Sequence, residues 1–222
     1  MKSMLFKFNI VNMSSTDNPD FNIDNQLVSF PYLWHFKIPI LPAFSVEYFS
    51  VQVRGYTSLS TNEKSIADDI VTIESASPMT LDNIEGVSVV VHYQGIRDYK
   101  LLFPWVSQVD LQRDLGLFYE EAEKNFDSGA WLSFALMCGA IFEGMLYAKL
   151  DYPSDNRFNN MIITASDEEH GILTTSQKEI MDKVRVLRNR IHCNKYHLPY
   201  VSRTDAMDIK SLLDRLIKDF SL

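Results

Sequence analysis

The sequence predicts an α+β protein, an antiparallel β domain over residues 1–107 followed by an up-and-down helical bundle over residues 108–222. Three observations predict it. Apolar residues alternate before about residue 105 and recur every three or four positions after it. The chain is 46% hydrophobic and 12% aromatic, with only eight Gly and eight Pro, which supplies two cores and excludes a disordered or collagen-like chain. The helical stripes are joined by short connections, which makes sequential helices antiparallel neighbours.

In the first half, Phe6, Phe8 and Ile10 alternate with Lys7 and Asn9. Residues 12–26 are rich in Asn, Asp and Ser and read as a loop. Pro31, Pro39 and Pro42 confine residues 30–41 to sheet edges or loops. Phe44, Val46 and Tyr48 share a face, and Val51 and Val53 resume after a bulge. At most one short helix is expected, near residues 63–69, and Ile70-Val71-Thr72-Ile73 is a β-branched strand. Val87, Val89, Val91 and Tyr93 alternate up to Gln94-Gly95, and Tyr99, Leu101 and Phe103 run back as the second arm of a hairpin.

In the second half, Leu111, Leu115, Phe118, Ala122 and Phe126 form the first helical stripe, capped by Ser107 or Asp110, with Gly129 at the turn. Residues 130–150 are apolar nearly all round, so this helix is expected at the centre. Its most apolar run, residues 130–142, is shorter than the ~18 residues of a membrane span. Phe158, Met161, Ile162 and Ala165 make a short third helix. Ser176-Gln177-Lys178-Glu179 reads as a capping box for a fourth helix carrying Ile180, Val184, Leu187 and Ile191. A fifth carries Met207 or Ile209, then Leu212, Leu213, Leu216 and Phe220.

The formal net charge is −8, which excludes a protein that coats nucleic acid by overall charge. Cys138 and Cys193 are too few for a disulfide framework or a Cys-rich zinc site and read as thiols of a cytoplasmic protein. Lys7 and Asn9 interrupt the N-terminal apolar stretch, so no signal peptide or membrane anchor is expected. There is no Gly-rich phosphate loop and no nucleophile elbow. His35 and His92 have no obvious chemical partners, and residues 167–170 read as a solvated loop. Tyr32, Trp34 and Phe36 alternate, as a core face or an exposed stacking platform.

The informative stretch is residues 183–192. At 100° per residue, Arg185, Arg188, Asn189 and His192 fall on one side of a helix, beside the apolar face of Ile180, Val184, Leu187 and Ile191. No acidic residue occurs between Lys183 and Arg203, so Lys183, Arg185, Arg188, Arg190, Lys195 and Arg203 form a local cationic patch. Its plain alternative is a solvated basic helix face.

Arg188-Asn189-Arg190-Ile191-His192 resembles the hallmark of the HEPN superfamily of helical-bundle domains, an Arg, often followed by Asn, with a His four to six residues further on near the end of a late helix. From Arg188 three residues intervene before His192; from Arg185 six do, without an Asn after that Arg, so either arginine can fill the role. Upstream, the apolar helix with Glu143 near its middle and the short helix ending in Gly171-Ile172-Leu173 follow the same layout. The likeness covers about residues 108–220. It implies a metal-independent endoribonuclease or RNA-binding protein of the kind found in toxin and phage-defence systems, working as a homodimer with two motif helices at one cleft and with no cofactor or metal. On this reading Arg188, Asn189 and His192 are catalytic, Arg185, Arg190 and Lys195 hold RNA, and Glu143 supports a motif arginine. The β domain would meet a protein partner or trigger. The alternative is a non-catalytic HEPN-like dimerisation or adaptor module.

Overall fold

A computed structural model describes residues 1–22, 29–54, 59–195, 197 and 199–222, with only the backbone of Asn83. It is α+β and divides into two compact units, Met1–Asp98 with Ser221–Leu222, and Tyr99–Phe220.

The first unit contains strands β1 (Lys2–Lys7), β2 (Met13–Asp17), β3 (Tyr32–Lys37), β4 (Phe44–Val53), β5 (Thr61–Ala67), β6 (Ile70–Ser75) and β7 (Val87–Ile96), with a one-turn helix α1 (Leu81–Glu85). They form two antiparallel sheets, ordered β1-β7-β4 and β2-β3-β6-β5. The alternation read in β7 is observed: Val87, Val89, Val91 and Tyr93 are all buried. Trp34 and Phe36 on β3 lie opposite Ile73 and Val71 on β6, and all four are fully buried. Aromatic rings beside β-branched chains are favourable cross-strand neighbours, and they make this face core rather than a stacking platform.

Several elements differ from the sequence reading. Residues 99–103 are not a strand; Tyr99–Leu102 is a 3-10 turn, because β7 already has β1 on one side and β4 on the other and offers no edge for a hairpin arm. Residues 63–69 are not a helix. β5 and β6 form a hairpin in which Ala67 faces Ile70 across Asp68-Asp69, with Asp68 at φ 51°, a conformation that Asp tolerates in two-residue turns. The stretch read as a loop from residue 12 contains β2, and the part of it from residue 23 lies outside the described residues. β3 is an interior strand, not an edge, since Pro31 and Pro39 flank it without interrupting its ladder. β1 ends at Lys7, and Ile10 stands exposed in a 3-10 turn. The bulges of β4 fall earlier than expected, between Phe44 and Val46 and between Val46 and Tyr48.

The second unit holds helices α2 (Val109–Asp127), α3 (Trp131–Lys149), α4 (Phe158–Ala165), α5 (Thr175–Arg188) and α6 (Arg203–Ser221). The α2 face turns by one residue from the expected stripe: Leu115, Tyr119 and Ala122 are buried, whereas Phe118 is exposed. Its N-cap is Gln108, without a side-chain cap bond, not Ser107 or Asp110. Gly129 follows α2 at φ 74°, where a left-handed turn to α3 needs a residue without a Cβ. α3 packs on α2, α4 and α5 and buries Phe134, Cys138, Ile141, Phe142, Met145 and Leu146, as its all-round apolarity predicts. At 19 residues it is long and apolar enough to cross a membrane by length and composition, and these side chains are nevertheless packed within the unit. The expected α4 stripe is buried. The capping box of α5 is built by Thr174 and Gln177, two residues upstream of the one read from sequence. On α5 the buried residues are Met181, Val184 and Leu187, with Ile191 exposed beyond its end, and on α6 it is Ile209, not Met207, that enters the core.

Residues 99–107 join the helical unit through contacts with α2. Gln112 Nε2 donates to the Phe103 carbonyl at 3.0 Å, and the Phe103 ring meets Tyr119 edge-on. The 3-10 turn lies so close to Gly116 that a Cβ there would stand 2.7 Å from the Lys100 backbone nitrogen. Gly116→Ala is therefore expected to destabilise the protein by roughly 1–3 kcal/mol, because a backbone must move. The ~1 kcal/mol of helix propensity that alanine gains works against this and is the smaller effect. Urea denaturation checks the sign; a stabilised variant would contradict the close approach.

Candidate functional site at the end of α5

α5 stops at Arg188. Asn189–Ile191 tightens into a 3-10 turn, and His192 leaves it with φ −81° and ψ 118° before a second 3-10 turn, Cys193–Lys195. Among the described residues none between Arg188 and Tyr200 is buried, so no core contact prolongs the helix, and Ile191 is 52% exposed. His192 therefore lies outside α5, beyond the face that Arg185, Arg188 and Asn189 share at spacings of three and four. Asn189 serves as the C-cap, its backbone N–H returning to the carbonyls of Val186 and Leu187.

Arg188 has the most constructed position. Its Nη1 donates to Glu143 Oε2 on α3 at 2.7 Å, with both side chains about one-third exposed. Its guanidinium lies over the Phe158 ring at 5.6 Å from the centroid. Its stem crosses α3 at Gly139, where any Cβ would collide with Arg188 Cδ. Gly139 and Glu143 are four residues apart on α3, so one helix face provides both the clearance and the acceptor. Only Nη1 carries a protein hydrogen bond among the described residues, which leaves Nε and Nη2 as donors.

The remaining cations are less concentrated than the sequence suggests. Lys183 pairs with Asp205 on α6 and Arg185 Nε with Asp182 at 3.1 Å. Burial alone would raise the Asp205 carboxyl, but the Lys183 ammonium and donors from Ser202 hold it below its ordinary value. Acids from outside the run thus neutralise Lys183, Arg185 and Arg188. Arg190 stacks on Tyr200 at 5.7 Å from the ring centroid, and its buried Nε has no acceptor among the described residues. Lys195 and Arg203 are exposed, as is His192, whose side chain makes no hydrogen bond among the described residues. Of the sequence-read site, then, a side-chain bond brings Glu143 and Arg188 together, and among the described residues no side-chain hydrogen bond or ion pair joins the other members to one another. Gly139 and Phe158 were missed; the one available signal was a glycine four residues before Glu143 on the same helix.

Other candidates have structural surroundings. His35 bridges Thr16 and Thr72 at 3.1 and 3.0 Å. His92 stacks on Tyr48 with ring centroids 4.3 Å apart. His170 pairs with Asp167 at 2.8 Å on the surface. Burial pushes the Cys138 thiol well up from its ordinary value, whereas Cys193 is exposed. Among the described residues no three His, Cys, Asp or Glu side chains come together as metal ligands. Comparison with known protein families, with characterised proteins and with solved structures finds no match for this chain.

Proposed function

We propose that the helical unit is a HEPN-type RNA-processing module, a metal-independent endoribonuclease of the toxin or phage-defence kind completed when two copies bring their α5 ends together. The observation that carries this reading is the held guanidinium: Glu143, Gly139 and Phe158 fix Arg188 at the end of α5 while Nε and Nη2 remain to grip a phosphate. His192 lies four residues on and open to solvent. In such a site one histidine takes the 2′-hydroxyl proton as the oxygen attacks phosphorus, and a second, from the other copy, protonates the departing 5′-oxygen. Arginine stabilises the charge that builds on phosphorus. Arg190, Lys195 and Arg203 carry no ion pair among the described residues and would track the RNA backbone. Val186, Ile191 and Tyr200 are 38%, 52% and 63% exposed around the same stretch, an apolar surface that a second copy would cover. An RNA substrate and two free thiols fit a cytoplasmic setting.

Purified protein is expected to cleave RNA in EDTA and to leave DNA of the same sequence intact, since DNA lacks the attacking hydroxyl. Light scattering at micromolar concentration is expected to give twice the 25.6 kDa chain mass. A monomer, or cleavage abolished by chelator, would contradict the reading. The neutralisation of Lys183, Arg185 and Arg188 favours a second reading, a non-catalytic HEPN-like dimerisation or adaptor module. A dimer that leaves every RNA intact would select it.

A further inference from the structure

β4 and β5 are consecutive in the chain and each is the edge of its own sheet, yet among the described residues no backbone hydrogen bond joins them. They approach at one end, where the Val51 N–H donates to Glu63 Oε1 at 3.4 Å. Beyond that contact they part. The two bulges of β4, at 44–46 and 46–48, and the bulge of β5 between Glu63 and Ser65 bend both strands out of a common ladder. The space that opens contains two adjoining clefts of about 470 and 270 Å³, with Val46 and Ile66 in the walls of both.

The seam has the two properties that strand addition requires. Its walls offer edge-strand backbone with apolar side chains between, and unpaired edges are templates for another strand. It is also acidic. Glu47 and Glu63 border the larger cleft and Asp68 the smaller. The basic residue at its wall, Arg97, is committed through Nη2 to the Pro42 carbonyl at 2.7 Å. Lys64, which would repel a basic strand from β5, is turned onto Asp20 and Glu74. We propose that the seam between β4 and β5 takes up, by strand addition, an extended segment of a partner protein in which basic and apolar residues alternate. Its backbone pairs with the edges that carry no ladder among the described residues, its apolar side chains enter the clefts beside Val46 and Ile66, and its basic side chains meet Glu47 and Glu63.

The full chain is titrated with a fluorescein-labelled peptide, Lys-Val-Lys-Val-Lys-Val-Lys, and with a copy N-methylated at alternate residues. The copy keeps the charge and loses every second amide donor. Saturable binding that weakens about tenfold on methylation, and severalfold in Glu47→Gln and Glu63→Gln, is expected. Hydrogen exchange of residues 44–49 and 63–67 is expected to slow when the peptide binds, and Ile66→Lys to abolish both effects. Equal binding of the two peptides, no saturable binding, or protection at other strands overturns the proposal. So does protection, before peptide is added, of the amides in these strands that are not bonded to β7 or β6, because the seam would then already hold a segment of this chain or a second copy.

Discussion

Replacing His192 with alanine is expected to slow RNA cleavage by about 10²-fold or more, the scale of losing a general acid–base group. The fold should be unaffected, because the imidazole is exposed and holds no hydrogen bond among the described residues. A circular-dichroism spectrum and urea midpoint equal to wild type accompany the loss of rate. Arg188→Lys is expected to impair cleavage as well, since lysine keeps the charge and loses the planar fork. Gly139→Ala separates positioning from chemistry. It removes no polar group but drives a methyl group into the path of the Arg188 stem, which must shift, and the guanidinium with it is expected to be displaced from its position on Glu143 and Phe158. Reduced cleavage in a folded Gly139→Ala variant supports the held guanidinium as the working group. His192→Ala cleaving like wild type would remove the acid–base assignment.

What the sequence reveals about this chain follows the length scale of each signal. Period is local, so the long helices and the alternation of β7 are legible from spacing alone. Pairing is not local. Tyr99, Leu101 and Phe103 have a strand-like pattern, and only knowledge that β1 and β4 occupy both sides of β7 excludes them from the sheet. Residues 63–69 fail for a related reason: an exposed edge strand carries polar residues on both faces, and its polarity hides the two-residue Asp68-Asp69 turn. At the site, the Arg188–Glu143 pairing follows from a tertiary contact between α5 and α3, whereas Arg185 pairs with Asp182 within its own helix, and spacing alone does not show this difference. After Leu187 no described residue is buried before Val201, which the apolar spacing of Ile191 conceals.

Lys210→Met is expected to cost about 3 kcal/mol or more at neutral pH, a loss that no sequence pattern announced. Lys210 Nζ sits between Glu123 on α2 and Asp214 one turn along α6, 2.7 Å from each, and Tyr119 donates its hydroxyl to Asp214 Oδ1 at 2.7 Å. The lysine and Glu123 side chains are only 18% and 13% exposed. Burial alone would lower the Lys210 pKa, and the two carboxylates outweigh it and hold the ammonium above its ordinary value. A folded pKa above the unfolded one means that the contribution to stability is complete below about pH 10.5 and is lost as the pH rises through the folded value. Methionine matches the length of lysine but leaves two carboxylates facing each other in a site partly closed to water, and breaking a buried ion group from one side costs ~3–5 kcal/mol. The more exposed Asp214, at 37%, places the expectation at the lower end of that range. The deficit is expected to shrink at strongly alkaline pH, where the wild type loses the ammonium. Replacing all three groups with apolar residues, Lys210→Met with Glu123→Leu and Asp214→Leu, is expected to restore most of the stability, because no charge is then left unpaired. Urea denaturation followed by the helical signal across this pH range reads all three outcomes, and a pH-independent loss under 1 kcal/mol for Lys210→Met would show that the cluster does not hold α2 to α6.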